Sequence, residues 1–211
     1  MGGTDPEDGK RRMEAVGKVL PISRKMPAAR RRQVAPNGVI GMLIFVIAEL
    51  MFFAGLISAH TIVKSSALAG WPPPGQPRLP VGETLINTAA LIASGFVLYF
   101  AHRRYARNPE LAKTPMLAAI LLGTFFVVFQ GVEWASLLAE GLTMTSGPHG
   151  GFFYLIIGIH ALHAIAAVLV LLWAYVRLLR RDLVLTQFLT VQIFWYFVVA
   201  LWPILYWRVY L

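Results

Sequence analysis

The chain has 211 residues, 57% of them hydrophobic and 14% charged, with a formal net charge of +9. Soluble domains carry about a quarter charged residues, so the composition places this chain in the membrane class. It has no cysteine, which excludes disulfides, iron–sulfur clusters and thiolate metal sites within it.

Residues 1–37 mix Gly, Pro, acidic and basic residues without an apolar helical face. They predict a basic N-terminal arm, mobile or ordered by a partner, with at most a weak interfacial helix around Met13–Leu20. No apolar core of signal-peptide type lies in this stretch. From residue 38 to 211 the sequence predicts an all-α, polytopic membrane domain, five transmembrane helices in a bundle.

Span one covers about 38–63, with Glu49 inside it, and is followed by the stiff loop WPPPGQPRLP. Three successive prolines there remove amide donors and hold the backbone extended. Trp71 in that loop is expected at the membrane interface. Span two covers about 82–101 and ends in HRRYAR. Span three covers about 115–138, with Pro115 suited to a helix start and Gln130 and Glu133 towards its far end. The turn-forming segment TMTSGPHGG precedes span four, about 152–176, which carries His160 and His163. Span five covers about 185–210 and includes Pro203, a candidate kink. Trp202, Tyr206, Trp207 and Tyr210 are expected in an aromatic belt at its outer end.

Sixteen of the nineteen Lys and Arg fall in the first 37 residues or in the loops after spans two and four. Only Lys64, Arg78 and Arg208 fall on the other side. That bias predicts a cytoplasmic N-terminus and an outside C-terminus in a bacterial-type inner membrane. It also points the positive charge at anionic phospholipid rather than at nucleic acid.

An ionisable residue inside a span is a functional hypothesis by default. At about 1.5 Å rise per residue, Glu49 lies roughly 16 Å into span one, near the midplane of a core about 30 Å thick. Glu133 lies roughly 10 Å from the outer surface and His160 roughly 12–15 Å deep. Gln130 and His163 sit one turn from Glu133 and His160 on the same faces. The four residues Glu49, Gln130, Glu133 and His160 therefore occupy overlapping layers, which allows them to meet. Three uses compete. Two carboxylates and H-x-x-H resemble half of a bundle di-metal set, but such sites draw a Glu-x-x-His pair from each of two helices. A buried carboxylate can exchange protons. A satisfied polar network or lipid-headgroup contacts can instead lock the helices together. Haem is disfavoured, because two histidines three residues apart on one helix would not bracket an iron. A free-standing transporter is a further alternative. It needs a continuous polar lining, and spans two and five offer mainly Asn87, Ser94, Thr190 and Gln192.

Five segments in order carry a resemblance. They are "AELMFFAGLISA", "WPPPG", "LINTAALIASG", "FQGVEWASLLAEG" and "HGGFFYLIIGIHALHAIAAV". This order resembles the cytochrome c oxidase subunit III family of the haem–copper oxidases, over about residues 38–211, in a short five-helix form that lacks the first two of seven spans. Glu49 falls on the family's intramembrane carboxylate. Gln130 and Glu133 fall on its Gln-x-x-Glu, with Trp134 in place of Tyr. His149, Gly150, Phe153, Gly158, His160 and His163 fall on its histidine segment. The last helix departs from the pattern: Tyr196 stands where His is expected and Val199 where Asp is expected.

The resemblance implies an accessory subunit with no haem, copper or other metal of its own, and no catalytic residue. Haem and copper are then expected in partner subunits. It implies packing on catalytic subunit I, bound phospholipid, and support of proton uptake in aerobic respiratory electron transport. On that basis Glu49 is the proton-related buried carboxylate, and Gln130, Glu133, His160 and His163 form a polar network or line a lipid cleft. The alternatives are a subunit III-like protein of a nitric oxide reductase or the stand-alone transporter.

Overall fold

A computed structural model describes residues 36–68, 70–74, 76–77 and 79–210. Apart from Pro36 and Asn37, the expected N-terminal arm lies outside the described residues, as does Arg78. Five long helices follow the five apolar runs, each long and apolar enough to cross a membrane. They are α1 (Asn37–Ser65), α2 (Val81–Tyr105), α3 (Lys113–Ala139), α4 (Pro148–Leu179) and α5 (Leu185–Leu205). A 3-10 turn, Pro109–Ala112, leads into α3, and a π-helical turn, Tyr206–Tyr210, continues α5. No strand occurs among the described residues. Helices suit a bilayer, which offers no water to a free backbone, because each satisfies its backbone groups within one segment.

Helices α2, α3, α4 and α5 pack as a ring, each against its neighbours in chain order, with α5 closing on α2. Helix α1 lies outside this ring, against α5 and α4. Its exposure follows: only Phe53 and His60 of its 29 residues are buried. Apolar attraction between helices is weak in hydrocarbon, so close packing and interhelical hydrogen bonds must hold the ring. Both are present. Trp195 of α5, 1% exposed, lies over Gly123 of α3, where any Cβ would strike the indole ring. Helix α2 contributes the polar spine, Thr84, Asn87, Thr88 and Ser94, all buried on one face. Asn87 Nδ2 donates to the Phe126 carbonyl at 3.3 Å. Trp195 Nε1 donates to Ser94 Oγ at 3.2 Å, and Trp202 Nε1 to Thr88 Oγ1 at 2.8 Å.

The loops tie the ends. At one end, Tyr105 Oη donates to the Leu183 carbonyl at 2.6 Å, and Arg181 Nε lies 3.3 Å from Glu110. This end carries the basic loops. At the opposite end, Gln76 Nε2 donates to the Ser146 carbonyl at 2.7 Å. Trp71 is not a free interface residue there. It is half-buried, edge-on to His60 and His149 with ring centroids 5.5 and 5.1 Å away.

Helix α4 starts at Pro148, four residues before the expected span. Proline suits the first helical position, and Gly147 at φ 134° supplies the turn before it. Gly150 then lets the helix pass the Thr143 carbonyl, which a Cβ would strike. Helix α5 runs through Pro203 and changes to π geometry three residues later. The expected aromatic belt is largely overturned. Trp202, Tyr206 and Tyr210 are buried, and only Trp207 is exposed, at 65%. The π turn widens the helix end and swings the two tyrosines back onto the ring.

Candidate functional site

The intramembrane polar residues divide into two groups rather than one layer. In the first, Glu49 of α1 meets His163 of α4, Oε2 to Nε2 at 3.2 Å. His163 Nδ1 lies 2.8 Å from the Ile159 carbonyl one turn earlier. A carbonyl only accepts, which assigns the hydrogen on the ring to Nδ1. The contact at Nε2 then requires one further hydrogen, carried by either Glu49 or His163. The pair thus joins α1 to α4 through two ionisable side chains. It is not fully enclosed: the Glu49 side chain is 21% exposed and that of His163 14%. Phe45, Phe53, Phe194 and Phe197 surround the imidazole at 5.7–6.4 Å between centroids.

In the second group, Gln130 and Glu133 of α3 join Thr84 and Tyr210. Thr84 Oγ1 donates to Glu133 Oε1 at 2.8 Å. Gln130 Nε2 donates to Glu133 Oε2 at 2.7 Å and lies 3.0 Å from Tyr210 Oη. All four residues are buried, so each of these bonds satisfies a group that water cannot reach. Glu133 also borders a cleft of about 300 Å³ beside Glu83, Ser136 and Glu140 at the end opposite the basic loops. Sequence reading missed Thr84 and placed Tyr210 in an aromatic belt, because both come from other helices and nothing in the local sequence ties them to Glu133.

His160 belongs to neither group. It is fully buried and stacks on Trp202, with centroids 5.2 Å apart and planes at 29°. Phe53 and Phe126 approach it edge-on, and neither ring nitrogen has a hydrogen-bond partner among the described residues. A cavity of about 260 Å³ between α3 and α4 is lined by Gln130 and His160 together.

Among the described residues, no three His, Asp or Glu side chains come together as metal ligands. The donors also fit a metal poorly: His163 is engaged with Glu49, and His160 is wrapped in aromatic rings. A transporter lining fits no better. Asn87, Ser94 and Gln192 turn inward to bond neighbouring helices, and Thr190 bonds the Thr186 carbonyl of its own helix at 2.9 Å.

Residues 28–211 match the family model for cytochrome c oxidase subunit III. The chain is 32% identical over 177 residues to a probable cytochrome c oxidase subunit 3 of Nocardia farcinica, covering 79% of this chain and 84% of that one. It is 30% identical over 184 residues to the probable subunit 3 of Mycobacterium leprae, covering 83% and 88%. The cytochrome c oxidase subunit 3 of Pyricularia grisea is 32% identical over 180 residues, and there the chain spans 66% of the relative's length. Five ordered motifs, five membrane-length helices and a match across most of the sequence agree: the chain belongs to the cytochrome c oxidase subunit III family.

Proposed function

We propose that the chain is the accessory, non-redox subunit III of a haem–copper terminal oxidase of the cytochrome c oxidase type, multi-pass in a bacterial-type inner membrane. It packs on catalytic subunit I, which with other subunits carries the haem and copper, and it supports proton uptake there. The N-terminus faces the cytoplasm, following the basic loops.

The observation that carries this reading is the Glu49–His163 pair on the outer side of the bundle. A polar pair at mid-membrane depth is expensive to leave facing hydrocarbon, and α1 buries only two of its residues within this chain. Both facts fit a face covered by another membrane subunit. The pair holds one proton between Oε2 and Nε2 and can pass it to or from a group across that interface. The Gln130–Glu133–Thr84–Tyr210 group and His160 serve as polar and aromatic joints of the ring, with phospholipid in the clefts beside them. No observation favours the nitric oxide reductase or transporter alternatives, and the relatives carry the oxidase name.

The test is an oxidase prepared without this chain. It keeps its haem and copper spectra and loses activity faster during turnover than the complete complex. Loss of the haem spectrum along with the chain would assign it a redox role and overturn the proposal.

A further inference from the structure

Helix α1 is held to the ring at few points. Beyond Phe53, His60 is its only buried residue, about 8 Å from the helix end opposite the basic loops. The His60 ring meets Trp71 of the following loop edge-on at 5.5 Å and Phe152 of α4 at 5.7 Å. Trp71 in turn meets His149, the second residue of α4, at 5.1 Å. Gln76 ties the same loop to Ser146. This end of α1 is therefore clasped to α4 by two imidazoles with an indole between them.

The clasp has no group to offset a positive charge. His60 and His149 are only 2% and 3% exposed. His60 Nδ1, Trp71 Nε1 and both nitrogens of His149 lack a hydrogen-bond partner among the described residues. Among those residues the histidine paired with a carboxylate is His163, not either of these. The charged groups that act on His60 are Lys64, one turn further along α1, and Arg208 in the π turn. Lys64 acts on His149 as well, and His149 is the titratable neighbour of His60. A proton added to either ring therefore joins fixed cations and a second imidazole in a site closed to water. A buried charge without a partner is costly. Phenylalanine would fill the same space with no unpaired nitrogen, so packing alone does not call for two imidazoles.

We infer that the His60–Trp71–His149 clasp is an acid-sensitive latch, which holds α1 on α4 while both imidazoles are neutral and releases the Trp71 loop and the adjoining end of α1 when they take up protons. An imidazole released to water is protonated at about pH 6.5 and below. Each pH unit below that value favours the released form about tenfold for each ring. The latch does not depend on the oxidase assignment, because its parts all belong to this chain. Its consequence does rest on the function proposed above. Release leaves α1 attached through Phe53 and the Glu49–His163 pair, so acid at this end loosens the helix that carries Glu49.

The test uses the full chain with whatever subunits purify with it in mild detergent. The chain has no cysteine, so nitroxide labels enter it only where cysteine is introduced. Thr61→Cys and Ile204→Cys place a pair on exposed positions of α1 and α5, and the preparation without them serves as the blank. Pulsed electron paramagnetic resonance reads the distance between the labels from about pH 8 to about pH 4. The latch predicts a narrow distribution at the upper end that shifts to longer distances as the pH falls. His60→Phe with His149→Phe keeps a ring at each position and should hold the narrow distribution throughout. Lys64→Gln leaves the three rings in place, removes one cation and should move the transition to more acid pH; it decides the matter where the double variant does not assemble. A distribution that ignores pH, or a transition unmoved in Lys64→Gln, would overturn the latch. So would a transition that persists in the double variant, which would assign it to another group such as the Glu49–His163 pair. None of these results bears on the oxidase reading, which the co-purifying subunits test separately.

Discussion

Replacing Glu49 separates the proton role proposed for it from its contact with His163. With Nδ1 of His163 committed to the Ile159 carbonyl, Nε2 is free to accept. In Glu49→Gln the new amide N–H can donate to it across the same 3.2 Å, so the joint between α1 and α4 survives while the exchangeable proton is lost. The expected change in stability is below about 0.5 kcal/mol. In Glu49→Leu the acceptor at Nε2 is stranded. A stranded buried polar group costs about 1–3 kcal/mol, and polar contacts between membrane helices average about 0.6 and reach about 1.7. His163 is only 14% exposed, so little solvent compensates, and about 1 kcal/mol is expected. For a domain of this size that lowers Tm by about 2–4 °C. Thermal unfolding of the purified complex reads the joint, and activity during sustained turnover reads the proton. Glu49→Gln should match the parent in the first assay and inactivate faster in the second. Parent-like behaviour in both would leave Glu49 with a packing role alone. Failure of the Gln variant to assemble would refute the tautomer assigned to His163.

Other substitutions probe the ring. Gly123→Ala should destabilise the protein by about 1–3 kcal/mol, because the buried Trp195 indole has no room to retreat; restored stability in Gly123→Ala with Trp195→Phe would locate the clash, read by thermal unfolding. Thr84→Val and Gln130→Leu each remove a donor to Glu133 and should each cost about 1 kcal/mol in the same assay. Their combination should depart from the sum, since both act on one carboxyl group, and strict additivity would mean the network does not couple. Trp202→Phe removes the bond to Thr88 and reduces the stack on His160, so it should lower Tm by about 2–4 °C with the oxidase spectrum of the complex unchanged.

The helices were readable because each apolar run is longer than a bilayer crossing requires, and Glu49, Gln130, Glu133, His160 and His163 stood out by their cost in hydrocarbon. Depth was also readable, since rise per residue converts position to distance. Pairing was not. Depth alone allowed Glu49, Glu133 and His160 to share a layer, but the angular position of each helix in the ring decides who meets, and α1 lies outside the ring. Glu49 therefore reaches His163, and Glu133 finds Thr84 and Gln130 instead. The tyrosines and Trp202 near the end of α5 misled for a related reason. Their composition fits an interface belt equally well, and only the π turn and the bonds to Val81, Thr88 and Gln130 draw them inward.

Partner identity is the claim on which the rest depends. Tagged full-length chain, extracted in mild detergent and purified from its native membranes, should carry larger polypeptides and the visible absorption bands of haem. A colourless preparation containing this chain alone, able to conduct ions after reconstitution, would contradict the account.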